Sequence, residues 1–146
     1  MVFKMADNRR LIPLEVVRKF PKADLHRHFD GSICISTIIE LAKAQGVELL
    51  TFDEEEPNMF ITVDGNCKPP VEYLRGSEIM NRVLQEREAL TRCFFEVCED
   101  ALNDGIAYVE VRFSPILHTE KGLSLQQVMD VAPANTQLAT RNFHRR

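Results

Sequence analysis

Two imidazoles two residues apart, His26 and His28, can grip a single metal ion only where the backbone between them is extended. In a strand, side chains at i and i+2 leave the same face with their Cα atoms roughly 6.6 Å apart. On a helix each residue turns about 100°, and the same pair would diverge by roughly 200°. A metal site here therefore requires a strand, and the neighbouring residues supply one. From Lys22 to Phe29 the residues alternate, with Ala23, Leu25 and Phe29 on one side and Asp24, His26, His28 and Asp30 on the other. Arg27 falls on the oily side, where its stem can pack while the guanidinium reaches water.

The rest of the chain divides by its punctuation. Residues 1–21 read as a lead-in, with Leu14, Val16, Val17 and Phe20 forming a helical turn between Pro13 and Pro21. Asp30-Gly31-Ser32 marks a turn, for which Asp30 alone would be an ordinary choice. Ile38, Ile39, Leu41 and Ala42 make the apolar stripe of a helix ending at Gly46, and Thr37 with Glu40 has capping-box spacing. Residues 49–73 are acidic and rich in turn residues, an excursion or lid in which the carboxylates at 53–56 form a solvated charge run. Apolar residues from Ile79 to Leu102 recur at helical intervals, so one long helix, or two with a bend, should cover about 77–104 before Asn103-Asp104-Gly105 stops it. Phe94, Val97 and Cys98 belong to the core stripe of that segment.

Alternation returns from Ile106 to Phe113, with Ala107, Val109, Val111 and Phe113 opposing Tyr108, Glu110 and Arg112. Glu110 and Arg112 are placed to form an internal ion pair. Ser124 with Gln127 opens a further helix, which Pro133 interrupts, and residues 132–146 form a tail without a period. Strand, helix, strand and helix onset describe a βαβ unit of a parallel sheet. In such α/β sheets, chemistry gathers beyond the carboxyl ends of the strands. His26 and His28 lie at that end of the first strand, and Arg112 to Pro115 at that end of the second.

Composition narrows the partners. A chain of 146 residues with a formal net charge of −4 can bury a core as one domain, and shows no cluster of Lys and Arg of the kind that grips nucleic-acid phosphates. It contains no apolar run of about 18 residues and no signal-peptide pattern, so no membrane partner is expected and the expected address is cytoplasmic. Cysteines at 34, 67, 93 and 98 form no CxxC pair and read as reduced packing thiols. The H-x-E with P-C-x-x-C of nucleic-acid deaminases is absent.

The run Pro21-Lys-Ala-Asp-Leu-His-Arg-His-Phe-Asp-Gly-Ser32 resembles the first-strand signature of adenosine deaminases, members of the metal-dependent amidohydrolase superfamily. Gly105-Ile-Ala-Tyr-Val-Glu-Val-Arg-Phe-Ser-Pro115 resembles that family's next block, and the resemblance spans roughly residues 13–131. It implies an α/β fold, an incomplete (β/α)8 TIM-type barrel of which residues 22–131 hold the first strands and helices. It also implies one Zn2+ ion with His26 and His28 among its ligands, and hydrolytic removal of ammonia from adenosine. By the same resemblance His28 and Asp30 touch substrate, a small purine nucleoside, with Asp30 at the ribose. Asp at that position favours a nucleoside over the adenine and methyl-AMP substrates of relatives that carry Glu or Asn there.

The family's third histidine ligand, its His-Ala-Gly-Glu glutamate and its late Asp-Asp pair have no counterpart in this sequence. A catalytic zinc takes three protein ligands and a water, and a barrel of this type needs about 250 residues. The expectation is an N-terminal portion that ligates zinc incompletely and is inactive alone. His118, expected in a polar loop, and His144, expected in the tail, are poor substitutes for the missing ligand. Two alternatives stand beside this reading: a related amidohydrolase acting on AMP or adenine, and a non-catalytic fragment that binds a partner.

Overall fold

Strand β1, Lys22–His28, and strand β2, Ile106–Arg112, lie side by side and parallel, an arrangement that requires a crossover between them. The description comes from a computed structural model and covers residues 12–49, 78 and 80–132. The acidic excursion beyond residue 49, Cys67, Pro133, His144 and most of the tail lie outside the described residues. Three helices, α1 at Leu14–Lys19, α2 at Ile35–Gln45 and α3 at Arg87–Asn103, surround the strands in chain order. A fourth helix, α4, occupies residues 125–132.

The core forms where the helical stripes meet the ends of the strands. α3 buries Ala89, Leu90, Cys93, Phe94, Val97, Cys98 and Ala101, the intervals of three and four that place residues on one helical face. Phe29, just past β1, is fully buried and stacks on Phe94 with ring centroids 3.9 Å apart. Phe113, just past β2, meets both rings edge-on at 6.1 Å and 5.1 Å, a geometry that aromatic quadrupoles favour. Ile38 and Ala42 of α2 and Val128 and Val131 of α4 close the same cluster.

The segment expected as one long helix or two with a bend is interrupted: residues 80–83 are helical, 84–86 are not, and α3 begins at Arg87. Gln85, 3% exposed, explains the break. Its amide donates to the carbonyls of Asn81 and Leu117, and its oxygen accepts the Glu120 N–H. A buried side chain with every polar group satisfied thus fastens the bend to the loop after β2. α3 then ends at Asn103, and Gly105 follows with φ 73°. A Cβ there would sit 3.1 Å from the Arg18 carbonyl of α1, so both the backbone conformation and the space call for glycine.

One expected cap forms and one does not. Ser124 and Gln127 exchange reciprocal bonds, 2.8 Å and 3.2 Å, at the start of α4. Thr37, by contrast, sits inside α2, which begins at Ile35 behind an N-cap Cys34 with no side-chain bond. Its buried hydroxyl instead donates to the Glu96 carboxylate of α3 at 2.7 Å. Arg92 bonds the same Glu96 and also Glu40 of α2, at 2.7 Å and 2.6 Å. Capping-box spacing coincided here with an interhelical bond, because α2 begins two residues before Thr37 and leaves its hydroxyl inside the helix to donate to a carboxylate on the neighbouring one.

Candidate metal centre

The strict alternation expected along β1 holds for the histidines and fails for the residues before them. Asp24 pairs with Val109 and Arg27 with Val111, so an extra residue is accommodated over Leu25 and His26. This is a β-bulge. It leaves Asp24, Arg27 and then Phe29 on the side of Val111 and Phe113, which packs on the helical core. Ala23, Leu25, His26 and His28 are all exposed on the other side, with Tyr108 and Arg112. Ala23 and Leu25 therefore share the histidines' face, and Asp24 does not, contrary to the simple alternation. Arg27, out of pattern in the sequence, lies where its half-buried head meets Asp24 at 2.8 Å.

On the open side the two imidazoles converge. His26 Nε2 and His28 Nε2 stand 3.1 Å apart, with ring centroids at 5.0 Å. Zinc–nitrogen bonds of about 2.0–2.1 Å in a tetrahedron put two ligand nitrogens roughly 3.3 Å apart. Two exposed nitrogens at this separation either share a proton or face one cation, so the donor pair fits an imidazole-loving metal such as zinc. Among the described residues, no group of three His, Cys, Asp or Glu side chains is placed to hold a metal. The pair would supply two of the four ligands of a tetrahedral shell.

Asp30 opens a three-residue helical turn, Asp30–Ser32, directly beyond the histidines. The turn is closed by the Ser32 hydroxyl, which donates to the His28 carbonyl at 2.6 Å, and by the Ser32 N–H to Phe29 at 3.1 Å. Asp30 is thereby held half-buried next to His28. Glu110 and Arg112 form an ion pair at 3.2 Å, but on the open face with both side chains about half exposed, not as the internal pair expected. Tyr108 donates to the other Glu110 oxygen at 3.0 Å, and that bond pushes the Tyr108 hydroxyl above its ordinary pKa.

His118 is a correction. It lies in no polar loop: it ends the turn Pro115–His118, is 2% exposed, and packs against Phe29 and Phe113 at 6.2 Å and 6.1 Å between ring centroids. Burial lowers its pKa below 6.5, while a bond with the Leu84 backbone and the charge of Asp30 oppose that shift. Its Nδ1 is buried without a hydrogen-bond partner. The local sequence does not signal this, because apart from Phe113 the groups around His118, Phe29 and the Leu84 backbone, come from distant elements. Cys93 and Cys98 are buried as packing thiols, with burial pushing the Cys93 thiol up to about 12, whereas Cys34 is exposed and bonds Asp100.

A parallel βαβ unit with a converging H-x-H pair at the carboxyl end of its first strand fits part of an α/β barrel. Comparison with known proteins makes the class specific. The chain belongs to the adenosine deaminase family, whose model, described as adenosine deaminase, matches residues 21–144. It is 48% identical over 139 residues to a probable adenosine deaminase of Dictyostelium discoideum, covering 95% of this chain and 18% of that protein. It is 39% identical over 113 residues to an adenosine deaminase of Clostridium botulinum strain 657, covering 77% and 34%. The chain thus spans about a third or less of the length of these relatives.

Solved structures agree on the fold. A zinc-bound amidohydrolase from Burkholderia ambifaria aligns with a TM-score of 0.75 at 17% identity, over 95% of this chain and 38% of that one. The arabidopsis N6-mAMP deaminase aligns with a TM-score of 0.62 at 25% identity, over 84% and 36%. These are TIM-type barrels, and the two parallel strands described here are consistent with an incomplete one. Among the described residues no helix is long and apolar enough to cross a membrane.

Proposed function

We propose that residues 22–131 are the opening part of a zinc-dependent deaminase barrel that converts adenosine and water to inosine and ammonia. Residues 1–21 lead into it and 132–146 follow it as a tail. The observation that carries this reading is the 3.1 Å approach of the His26 and His28 ring nitrogens on the open face of β1. These two residues would hold the ion, which when bound makes water acidic enough to ionise near neutral pH. Asp30, fixed beyond the strand end, would accept a hydrogen bond from the ribose, and His28 would also border the nucleoside. No described residue is placed to take the water's proton, so the chain supplies ligands and substrate contacts and leaves proton transfer to the part of the barrel that its relatives carry.

Zinc uptake, measured by competition with a chromophoric chelator, tests the reading directly. The chain should take up one ion weakly, and His26→Ala or His28→Ala should abolish uptake; equal uptake by both variants would defeat the site. Adenosine absorbance should not fall with this chain alone, and should fall once the remaining strands are joined to it. A second substrate class is favoured by the likeness to the N6-mAMP deaminase. The extended protein should prefer adenosine over AMP and adenine because of Asp30; a preference for either of the others would transfer the assignment.

A further inference from the structure

Strands β1 and β2 lose step twice: between Lys22 and Ala23 the second advances two residues for one, and between Asp24 and Arg27 the first advances three while the second, from Val109 to Val111, advances two, which restores the starting register at His28 and Arg112. In an unbroken strand, positions 24, 26 and 28 would share one face. Asp24 stands opposite Val109, on the side that Val111 and Phe113 turn toward the helical core. The residues after the bulge keep plain alternation, with His28 and His26 facing away from the side of buried Phe29, so the extra residue turns Asp24 onto the core side and leaves both rings on the open one.

One carboxylate bridges that bulge. Asp24 Oδ1 accepts the His26 backbone N–H at 3.3 Å, and its Oδ2 accepts Arg27 Nε–H at 2.8 Å. The first bond gives a partner to an N–H inside the irregular stretch, and the second ties the residue before the bulge to the residue after it. Both side chains are partly covered, 30% and 20% exposed, so the pair is less open to solvent than a free surface ion pair.

We infer that Asp24 and Arg27 are positioning residues for the metal pair: their clasp fixes the irregular backbone that carries His26 and leads into His28, and hence the approach of the two rings. This deepens the zinc reading and rests on it for the metal arm of its test alone. Outer-shell partners that orient ligands typically change metal affinity by about 10- to 100-fold when removed.

The experiment uses the full chain, its Asp24→Ala, Arg27→Met and Arg27→Lys variants, and two readouts. Without metal, NMR should show a ring-to-ring proton contact between His26 and His28 in the parent chain, and its loss in Asp24→Ala and Arg27→Met. With zinc and a competing chelator, both variants should bind at least tenfold more weakly, while Arg27→Lys, which restores a cationic donor, recovers most of the affinity. Helical circular dichroism should stay at the parent level. Should Asp24→Ala unfold, Arg27→Met decides by the same criteria, because it keeps the stem and the Asp24 to His26 bond. Retained ring contact in both variants overturns the clasp, as does zinc affinity within twofold of the parent. A parent chain that shows the ring contact yet takes up no zinc defeats the zinc reading, and leaves the clasp to be judged by the ring contact.

Discussion

The burial of His118 gives this chain a response to acid. Its folded pKa lies below 6.5 because desolvation disfavours the imidazolium, with the charge of Asp30 and the Leu84 backbone opposing. Between the folded and unfolded values the unfolded chain binds a proton that the folded chain refuses, so the folded state loses stability as pH falls through that window. Above 6.5 both states are neutral and the loss is absent. Urea midpoints should therefore decline from pH 7 to pH 5, and His118→Leu should flatten that decline; an unchanged slope would place another group in control. Thr37 makes a second residue-scale case. Thr37→Val removes the donor to Glu96, which keeps Arg92, and should cost about 1 kcal/mol in urea unfolding, the usual net worth of a hydrogen bond. A neutral effect would show that the bond contributes only orientation.

At the scale of elements, caps and stops carry individual free energies that the sequence states clearly. Ser124→Ala breaks one half of the reciprocal box at α4 and should cost about 1 kcal/mol. Gly105→Ala meets two penalties at once, a left-handed backbone and a carbonyl at 3.1 Å, and should cost more than about 1 kcal/mol. Thermal melts followed by circular dichroism distinguish them, and a Gly105→Ala chain as stable as the parent would mean that α1 does not lie against this turn. These features were readable because a cap and a stop are local: Ser124 is three residues from Gln127, and Gly105 follows directly after the helix it ends. Thr37 and Gln85 were not, since their partners Glu96 and Leu117 lie in other elements, and no local pattern announces a bond across the fold.

For the whole molecule, the order of strands and helices and the convergence of the two histidines followed from periodicity, whereas the facing of the remaining β1 residues did not. A period of two is reversed by one extra residue, and whether a residue is extra depends on the partner strand. Leu25 and Phe29 show the consequence. Alternation puts both on the oily side, yet Phe29 is 0% exposed among Phe94, Phe113 and His118, and Leu25 is 59% exposed beside the histidines. Truncating a buried phenylalanine costs about 3–5 kcal/mol, a large share of the roughly 5–15 kcal/mol that holds a domain folded. An exposed leucine truncated to alanine changes stability by about 0.5 kcal/mol or less. Phe29→Ala should therefore unfold at much lower urea and lose the His26–His28 ring contact with the core, while Leu25→Ala should unfold near the parent midpoint. Phe29→Leu, which fills part of the space, should fall between them. Comparable losses from Leu25→Ala and Phe29→Ala would restore strict alternation along β1 and remove the bulge between Asp24 and Arg27.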